Sequence, residues 1–305
     1  MPSLFDLHCD MPTEAYGRGI SITDPSLMAS AAKAEGLDRY VQVAAIWSDC
    51  RLDDRAAYER YLAVRDHFRR QAEDHGCPLA RNPQELHGRH HYVLAVEDAR
   101  ILCGDLSRLQ DLYEDGVRFL TLTWAGKSII GGAFDTDAPL TDFGRQVVEE
   151  CFRIGIIPDL SHASEAVIKE VIDRAEAWGK PVVATHSNAY AVHPHPRNLK
   201  DDVFRRIVSL GGIVGISFYP LHLGEGPCTA ETVLAHINHY IRLGGEKALC
   251  FGCDFDGIEA APQGLEELSR MPALSTYLSE AGLSQGTIDR LFYQNACSFF
   301  ERAVR

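Results

Sequence analysis

Positive charge is in short supply in this 305-residue chain: 30 lysines and arginines stand against 43 aspartates and glutamates, a formal net charge of −13. No basic run concentrates the few cations, and nucleic-acid binding needs clustered Lys and Arg, so a phosphate-backbone partner is not expected. Long apolar runs are missing as well. None approaches the roughly 20 residues that span a bilayer, which speaks against a membrane span. The opening MPSLFDLHCD has neither a basic stretch nor an extended apolar one, so it does not read as a secretory leader. No low-complexity segment and no Pro/Gly/Ser-rich linker divides the chain. A disulfide framework is also lacking. The nine cysteines are odd in number and widely scattered, which suits free thiols in a reducing, cytoplasmic setting. Cys250-Phe-Gly-Cys253 is formally a CxxC pair, yet no second pair stands at zinc-ribbon spacing and the motif lies inside an apolar strand pattern. That context points to ordinary buried cysteines.

What is present is a core-forming composition, 46% hydrophobic and 24% charged. Short apolar runs recur at Leu4–Leu7, Val41–Ile46, Tyr92–Val96, Phe119–Leu122, Ile156–Pro158, Val182–Ala184, Ile213–Ser217 and Leu249–Phe251. Each has the composition and length of a buried parallel strand. Between them, apolar residues at 3.6-residue spacing predict helices over 53–73, 106–114, 143–153, 165–178 and 231–243. Eight strands alternating with helices, without a linker, predict a single α/β domain over residues 1–305, a (β/α)8 TIM barrel of the metallo-dependent hydrolase type. A doubly wound sheet is the competing architecture. It would show a Gly-rich turn after the first strand, where this chain has His8-Cys9-Asp10-Met11.

Barrel enzymes carry their chemistry at the C-terminal ends of the strands, so the residues just after each run are informative. The first run ends in His8 and Asp10 and the third in Glu97. The fifth ends in Asp159-Leu-Ser-His162, the sixth in His186-Ser-Asn188, and the eighth in Asp254-Phe-Asp256-Gly257. Imidazoles and carboxylates are the ligand set that zinc prefers. Alternate strand residues point the same way, so His8 and Asp10 can reach one ion while Cys9 points elsewhere. Taken alone, the pair reads more readily as a helix-capping Asp beside a strand-end histidine. Glu97 has two readings as well, a first-turn helix acid or a carboxylate bridging two ions about 3.5–4 Å apart. A carbamylated Lys127 is the alternative bridge, but it lies in a loop beyond the fourth strand, and Glu97 is favoured. His67, His75, His87, His90, His91, His236 and His239 read as surface or packing residues. His193, His195 and His222 lie where they can line an entrance, with a plain loop role the simpler reading.

Taken together, these residues resemble the membrane (renal) dipeptidases and their soluble bacterial relatives, zinc peptidases with a barrel fold. The likeness covers essentially the whole chain. It is carried by Asp6-Leu-His-Cys-Asp10, Glu97, Gly116-Val-Arg-Phe-Leu-Thr-Leu-Thr123, Asp159-Leu-Ser-His162, Thr185-His-Ser187, Arg197-Asn198, Gly211-Gly-Ile-Val-Gly-Ile-Ser-Phe-Tyr219, Gly252-Cys-Asp-Phe-Asp-Gly257, Gly264-Leu-Glu and Asn295. The resemblance implies two Zn2+ per chain. His8 and Asp10 would hold the first, His162 and His186 the second, and Glu97 would bridge them. It implies Arg197, next to Asn198, as the group that grips the substrate's terminal carboxylate, Asp254 as acid/base, and Tyr219 as a substrate contact. One departure stands out: Trp124 occupies the place where the mammalian enzymes carry a substrate-contacting histidine, and an indole cannot become an imidazolium.

The expectation is therefore a binuclear zinc dipeptidase acting on short dipeptides, L-D dipeptides among them, with homodimerisation implied by the same likeness. Two other readings stay open. One is a different barrel metallohydrolase, such as an amidase, lactonase or deacetylase. The other is a non-catalytic zinc-binding member of the same family.

Overall fold

The structure, a computed structural model, describes residues 1–304. Seven parallel strands form one sheet: β1 (Leu4–Cys9), β2 (Tyr40–Trp47), β3 (His90–Glu97), β4 (Val117–Thr121), β5 (Ile157–Asp159), β6 (Val214–Ile216) and β7 (Leu249–Phe251). Their spatial order is β5-β4-β3-β2-β1-β7-β6. Parallel neighbours need crossovers, and most are helical. The helices are α1 (Met11–Arg18), α2 (Asp54–Asp74), α3 (Arg108–Asp115), α4 (Asp142–Ile154), α5 (Glu165–Trp178), α6 (Asp201–Ser209), α7 (Pro220–Leu223), α8 (Ala230–Arg242), α9 (Met271–Glu280), α10 (Gln285–Asp289) and α11 (Asn295–Ala303). Their ends follow ordinary capping chemistry. In α4 the Thr141 side chain accepts from Gly144 N, and Gly155 takes φ +96° just past the last turn, so the chain reverses straight into β5.

The helices predicted from spacing occur within one or two residues of their expected bounds. The sixth apolar run differs from expectation. Val182–Ala184 forms no strand of its own and is attached by single parallel bridges, Val183 to Asp159 and Ala184 to Val214. The reason is local: Thr185 N donates to the Asp159 carboxylate at 2.9 Å, not to a neighbouring carbonyl, which ends the ladder before it lengthens. The sheet is thus curled, with β5 and β6 brought to either side of one short segment. Helices α1, α6, α7, α9, α10 and α11 went unpredicted, α1 because Pro12 and Gly17 interrupt its pattern.

The curl separates two apolar layers. Phe5, Leu7, Val41, Val43, Val93 and Ala95 pack inside it, where Phe299 and Phe300 of α11 join them. Leu4, Cys9, Leu94 and Val96 pack outward against the helices. On β3 this alternation carries Glu97 inward in step with Val93 and Ala95, because β2 and β3 pair without interruption from Tyr40–His90 to Trp47–Glu97. β1 does something else. Its register against β2 runs from Asp6–Gln42 to Cys9–Ala44, three steps against two. This bulge flips the phase, so Leu7 stays inside, Cys9 turns outward, and His8 swings to the inner side at the strand's C-terminal end.

The region between β6 and β7 is closed by bare backbone. A Cβ built on Gly215 would lie 1.9 Å from the Thr185 carbonyl oxygen, and one on Gly252 would lie 1.7 Å from the same atom. Gly252→Ala must therefore push the segment carrying His186 off the sheet, at a cost of about 3 kcal/mol. For a chain of this size the expected fall in Tm is roughly 6 °C or more. Gly286→Ala, whose Cβ meets only the Arg290 and Ser284 side chains at ordinary contact distance, serves as the control and should melt near wild type. Equal melting temperatures for the two variants would refute the close-approach account.

Candidate metal centre

At the C-terminal rim of the sheet, His8, Asp10, Glu97, His162, His186 and Asp254 converge. The Glu97 carboxylate is the hub. Its Oε1 lies 3.0 Å from His162 Nε2, 3.6 Å from His186 Nε2 and 3.7 Å from His8 Nε2. His8 Nε2 is also 3.4 Å from Asp10 Oδ2 and 3.8 Å from Asp254 Oδ1. Two overlapping sets of donor atoms result, each gathered within 4.8 Å: His8 with Glu97 and His186, and His8 with Asp10 and Asp254. His162 joins through Glu97 and through His186, whose Nε2 is 2.9 Å from its own. The alternative reading of Asp10 as a helix cap fails. It stands at the N-cap position of α1, but its side chain makes no capping hydrogen bond. Glu97 is likewise the last residue of β3 and not a first-turn helix acid.

Burial makes this crowding costly. Glu97 is 3% exposed and Asp254 8%. Burial and the neighbouring charge of Asp10 hold the Glu97 carboxyl well above the usual carboxylate range. Burial, then Asp10, also push Asp254 up to about 7 against the pull of His8. Against the cost of burial, the charges of Glu97, Asp10 and Asp254 raise His8 to about 10. Burial keeps His162 and His186 well below their ordinary value, which leaves neutral rings with a lone pair to offer. His8 Nε2 and Asp10 Oδ1 are buried without a hydrogen-bond partner. Neutral imidazoles, acid groups that repel one another, and orphaned donor atoms make a site that a divalent cation would complete. The residues present fit a metal.

The candidate ligands are held from behind. Asp159, read from sequence as a strand-end polar residue, points away from the cluster and works as a bracket. Its Oδ1 accepts from Ser161 N at 3.0 Å and Thr185 N at 2.9 Å, and its Oδ2 accepts from Thr121 Oγ1 at 2.7 Å and Thr185 Oγ1 at 2.6 Å. Thr185 Oγ1 in turn lies 2.9 Å from His186 Nδ1, and Trp124 O lies 3.1 Å from His162 Nδ1. Both rings are therefore oriented through the nitrogen that faces away from Glu97. Asp6 plays a similar part, its Oδ1 accepting from Cys253 N at 2.8 Å to fix the segment before Asp254. Asp256 is tied to the backbone N–H of Met28 and Ala29 at 2.7 and 3.0 Å and so pins a loop.

The cluster forms the floor of a cavity of about 540 Å3. Trp124, Arg197 and Tyr219 line it, as the sequence led one to expect. Arg197 is 5% exposed, its Cζ lies 5.7 Å from the Phe134 ring centroid, and neither Nη has a hydrogen-bond partner. Asn198 lies behind it, donating to His193 O and His222 O at 2.8 Å each, and is not part of the cavity lining. Lys127 is exposed and outside the lining, which leaves Glu97 as the bridging candidate. Sequence reasoning missed several walls: Trp47, Arg60 and Phe134, with Thr13 and Glu14 of α1, and Glu259. His222, read as a plain loop residue, is a cavity wall too. It is 6% exposed and packs between His195 and Tyr219, 4.8 Å from each ring. Its position three residues after Tyr219, beyond the seventh apolar run, was the one available signal. The seven histidines read as surface or packing residues all lie outside the lining, and Cys250 and Cys253 are buried free thiols.

Comparison with known proteins gives this site a context. The sequence model of the membrane dipeptidase family, peptidase family M19, matches residues 2–304. An uncharacterized dipeptidase of Schizosaccharomyces pombe is 35% identical over 199 residues, 63% of this chain and 48% of its own length. The dipeptidase tcpJ of Claviceps purpurea is 34% identical over 209 residues, 67% of this chain and 48% of its own. The chain thus spans about half the length of the curated relatives it matches. Among solved structures, a dipeptidase of family M19 superposes with a TM-score of 0.92 at 26% identity, covering 99% of both chains. A metallopeptidase of Rhodobacter sphaeroides, liganded with a phosphinate mimic of the dipeptide L-Ala-D-Ala, superposes with a TM-score of 0.89 at 26% identity, again over 99% of both.

The bracket formed by Asp159 gives a direct test. Asp159→Asn replaces an acceptor by a donor opposite Thr185 and frees the His186 ring to rotate. It should weaken zinc binding by about 10- to 100-fold, measured by competition with a chromophoric chelator, while circular dichroism stays native. Wild-type affinity in a folded variant would show that Asp159 does not act through His186.

Proposed function

This chain belongs to the membrane dipeptidase family, and on that premise we propose that it is a zinc-dependent dipeptidase that hydrolyses the peptide bond of short dipeptides. The observation that carries the reading is the pairing, in one cavity, of a buried carboxylate–imidazole cluster with a buried guanidinium whose Nη atoms are both free. A planar fork of that kind suits bidentate capture of a carboxylate. In a dipeptide the terminal carboxylate lies one residue beyond the scissile bond, so a small cavity that anchors the first at Arg197 holds the second over the cluster.

In this reading His8 and Asp10 would hold one Zn2+ and His162 and His186 a second, with Glu97 as the carboxylate they would share. Such a pair supplies Lewis acidity, lowering the pKa of water towards neutrality and polarising a carbonyl. The remaining work falls to the chain's own side chains. Arg197 fixes the substrate's free carboxylate and so the position of its carbonyl. Asp254, buried beside His8 and Asp10, takes a proton at its carboxylate from the attacking water and delivers it to the departing nitrogen. Tyr219 and Trp124 flank the substrate, and the rings of Trp124 and Phe134 keep bulk water from the cluster. Trp124 can pack and donate one N–H, so it contributes no imidazolium chemistry here.

The bridges of Val183 and Ala184 to β5 and β6 support reading the fold as an eight-stave (β/α)8 barrel that makes residues 1–305 one domain. All nine cysteines are free, which is in keeping with a cytoplasmic site of action. No helix is long and apolar enough to cross a membrane. L-D dipeptides belong among the proposed substrates, since the Rhodobacter sphaeroides neighbour holds an L-Ala-D-Ala mimic. Homodimerisation is proposed from the family likeness alone.

Two experiments test the reading. Protein stripped by chelation should lose dipeptide hydrolysis and regain it with Zn2+, and undiminished turnover without metal would overturn the metallopeptidase assignment. Arg197→Met should raise KM about tenfold or more for dipeptides with a free carboxylate, with little effect on carboxamide-blocked analogues. An unchanged KM would remove Arg197 from carboxylate capture.

A further inference from the structure

The cavity contains a second guanidinium that the dipeptidase reading does not use. Arg60 projects from α2 onto the wall it shares with Thr13, Gly17 and Trp47. Thr13 accepts from Trp47 N at 2.9 Å, which joins α1 to the end of β2, and a Cβ on Gly17 would lie 3.8 Å from Arg60 Nη2. Arg60 makes no ion pair among the described residues. Its one aromatic contact is the Tyr16 ring, 5.9 Å from Cζ, and its Nε is buried without a partner. Nearby acids each have another arginine as partner, although Asp49 also feels the charge of Arg60. Glu14 lies 3.5 Å from Arg18 Nη1, Asp49 is paired with Arg51, and Glu59 with Arg55.

An aromatic wall leads from Arg197 to Trp47, which lines the same cavity as Arg60. From Arg197 the wall runs to Phe134 at 5.7 Å, from Phe134 to His162 at 6.1 Å, from His162 to Trp124 at 6.0 Å and from Trp124 to Trp47 at 5.0 Å. His162, a member of the cluster, lies on that wall between Arg197 and Trp47. This order fixes the sense in which a substrate spans the cavity. With the terminal carboxylate at Arg197 and the scissile carbonyl over the cluster, the residue that owns that carbonyl, the N-terminal one, continues towards Thr13, Trp47 and Arg60. Glu259, another acid of the lining, is close enough for its charge to help raise the Tyr219 hydroxyl, on the side of the cavity that also carries His222.

We infer that Arg60 selects substrates whose N-terminal residue carries a carboxylate side chain, so that the protein acts on dianionic dipeptides of the Glu-Xaa and Asp-Xaa kind. The inference rests on the dipeptidase reading and adds to it a specificity determinant. An unpaired guanidinium at a half-enclosed wall gains a charge-assisted hydrogen bond from such a side chain, and a carboxamide of the same length gives only a neutral acceptor. The stem of a glutamyl side chain lies along the Trp47 ring while its head reaches Arg60.

The experiment compares kcat/KM of the zinc-loaded enzyme for Glu-Ala, Gln-Ala, Lys-Ala and Ala-Ala, with Ala-Glu and Ala-Gln as the positional control. Wild-type protein should favour Glu-Ala over Gln-Ala by about tenfold or more, with a much smaller ratio for Ala-Glu over Ala-Gln. Arg60→Met should bring the Glu-Ala to Gln-Ala ratio to about one, and Arg60→Glu should turn the preference towards Lys-Ala. Hydrolysis of Gln-Ala and Ala-Ala with no acid preference, or a preference that survives Arg60→Met, overturns the inference and leaves the dipeptidase reading standing. Failure to hydrolyse any member of the panel overturns both.

Discussion

Everything at the rim of the sheet follows from one electrostatic problem: three carboxylates, Asp10, Glu97 and Asp254, are buried around imidazoles, with His8 shared among all three and no lysine or arginine paired to any of them. Removing a carboxylate from water costs several kcal/mol even after relaxation, and grouping three compounds the cost. The chain does own a buried cation nearby. Arg197 is close enough for its charge to be felt at Glu97 and Asp254, yet it forms no ion pair with either and keeps both Nη atoms free. Had the guanidinium closed on Glu97, the negative charge would be neutralised internally and the site would be an inert salt bridge. The observed separation leaves the cluster needing a metal ion and the guanidinium needing an anion. Those two needs are what the proposed dipeptidase reading would satisfy.

Holding repelling groups together takes rigid backbone, and the strain shows where the work is done. Five non-glycine residues take positive φ: Asp98, Cys103, His162, Asp254 and Asp256. Asp98 follows Glu97 directly, and His162 and Asp254 are themselves members of the cluster. Left-handed Asp and His conformations cost about 1 kcal/mol or more each and persist only where surrounding structure dictates them. The bulge in β1 belongs to the same set of devices, since without it His8 would face the helices with Leu4. So does Gly257, where a Cβ would come within 2.1 Å of Asp10 Oδ2 and 2.9 Å of Asp254 Oδ1. The two carboxylates approach each other across the one position where no side chain intervenes.

Much of this was legible in the sequence, and the division between legible and hidden has a physical basis. Buried parallel strands must be apolar on both faces, so each run announced itself, and a polar residue at a run's end marked the rim. That rule was enough to assemble His8, Asp10, Glu97, His162, His186 and Asp254. It could not tell ligand candidates from brackets. Asp159 ends a strand just as Glu97 does, but its carboxylate is consumed by four hydrogen bonds and faces away. The Val182–Ala184 run looked like any other strand, because nothing in composition reveals that Thr185 will bond to Asp159 before a ladder can form. Cavity walls were the least visible. Arg60 sits in the second turn of a 21-residue amphipathic helix whose pattern explains it fully as a surface charge. Only the approach of α2 to α1 turns that charge inward.

The same contrast separates catalysis from selection in this fold. The metal candidates come from strand ends, where the sheet fixes direction to within a hydrogen bond, and the groups facing a substrate come from α1, α2 and the connecting loops. The net charge of −13 then bears on the two functions differently. A long-range field from an acidic chain opposes the approach of an anionic substrate, but at physiological ionic strength it is largely screened beyond about 8 Å. Inside the cavity screening fails and individual groups decide. On the proposed reading, a metal-loaded cluster with Arg197 and Arg60 in the same cavity would meet a short anionic peptide at close range. An acidic protein could on that reading receive an acidic substrate, because binding is decided by the few charges that face the cavity.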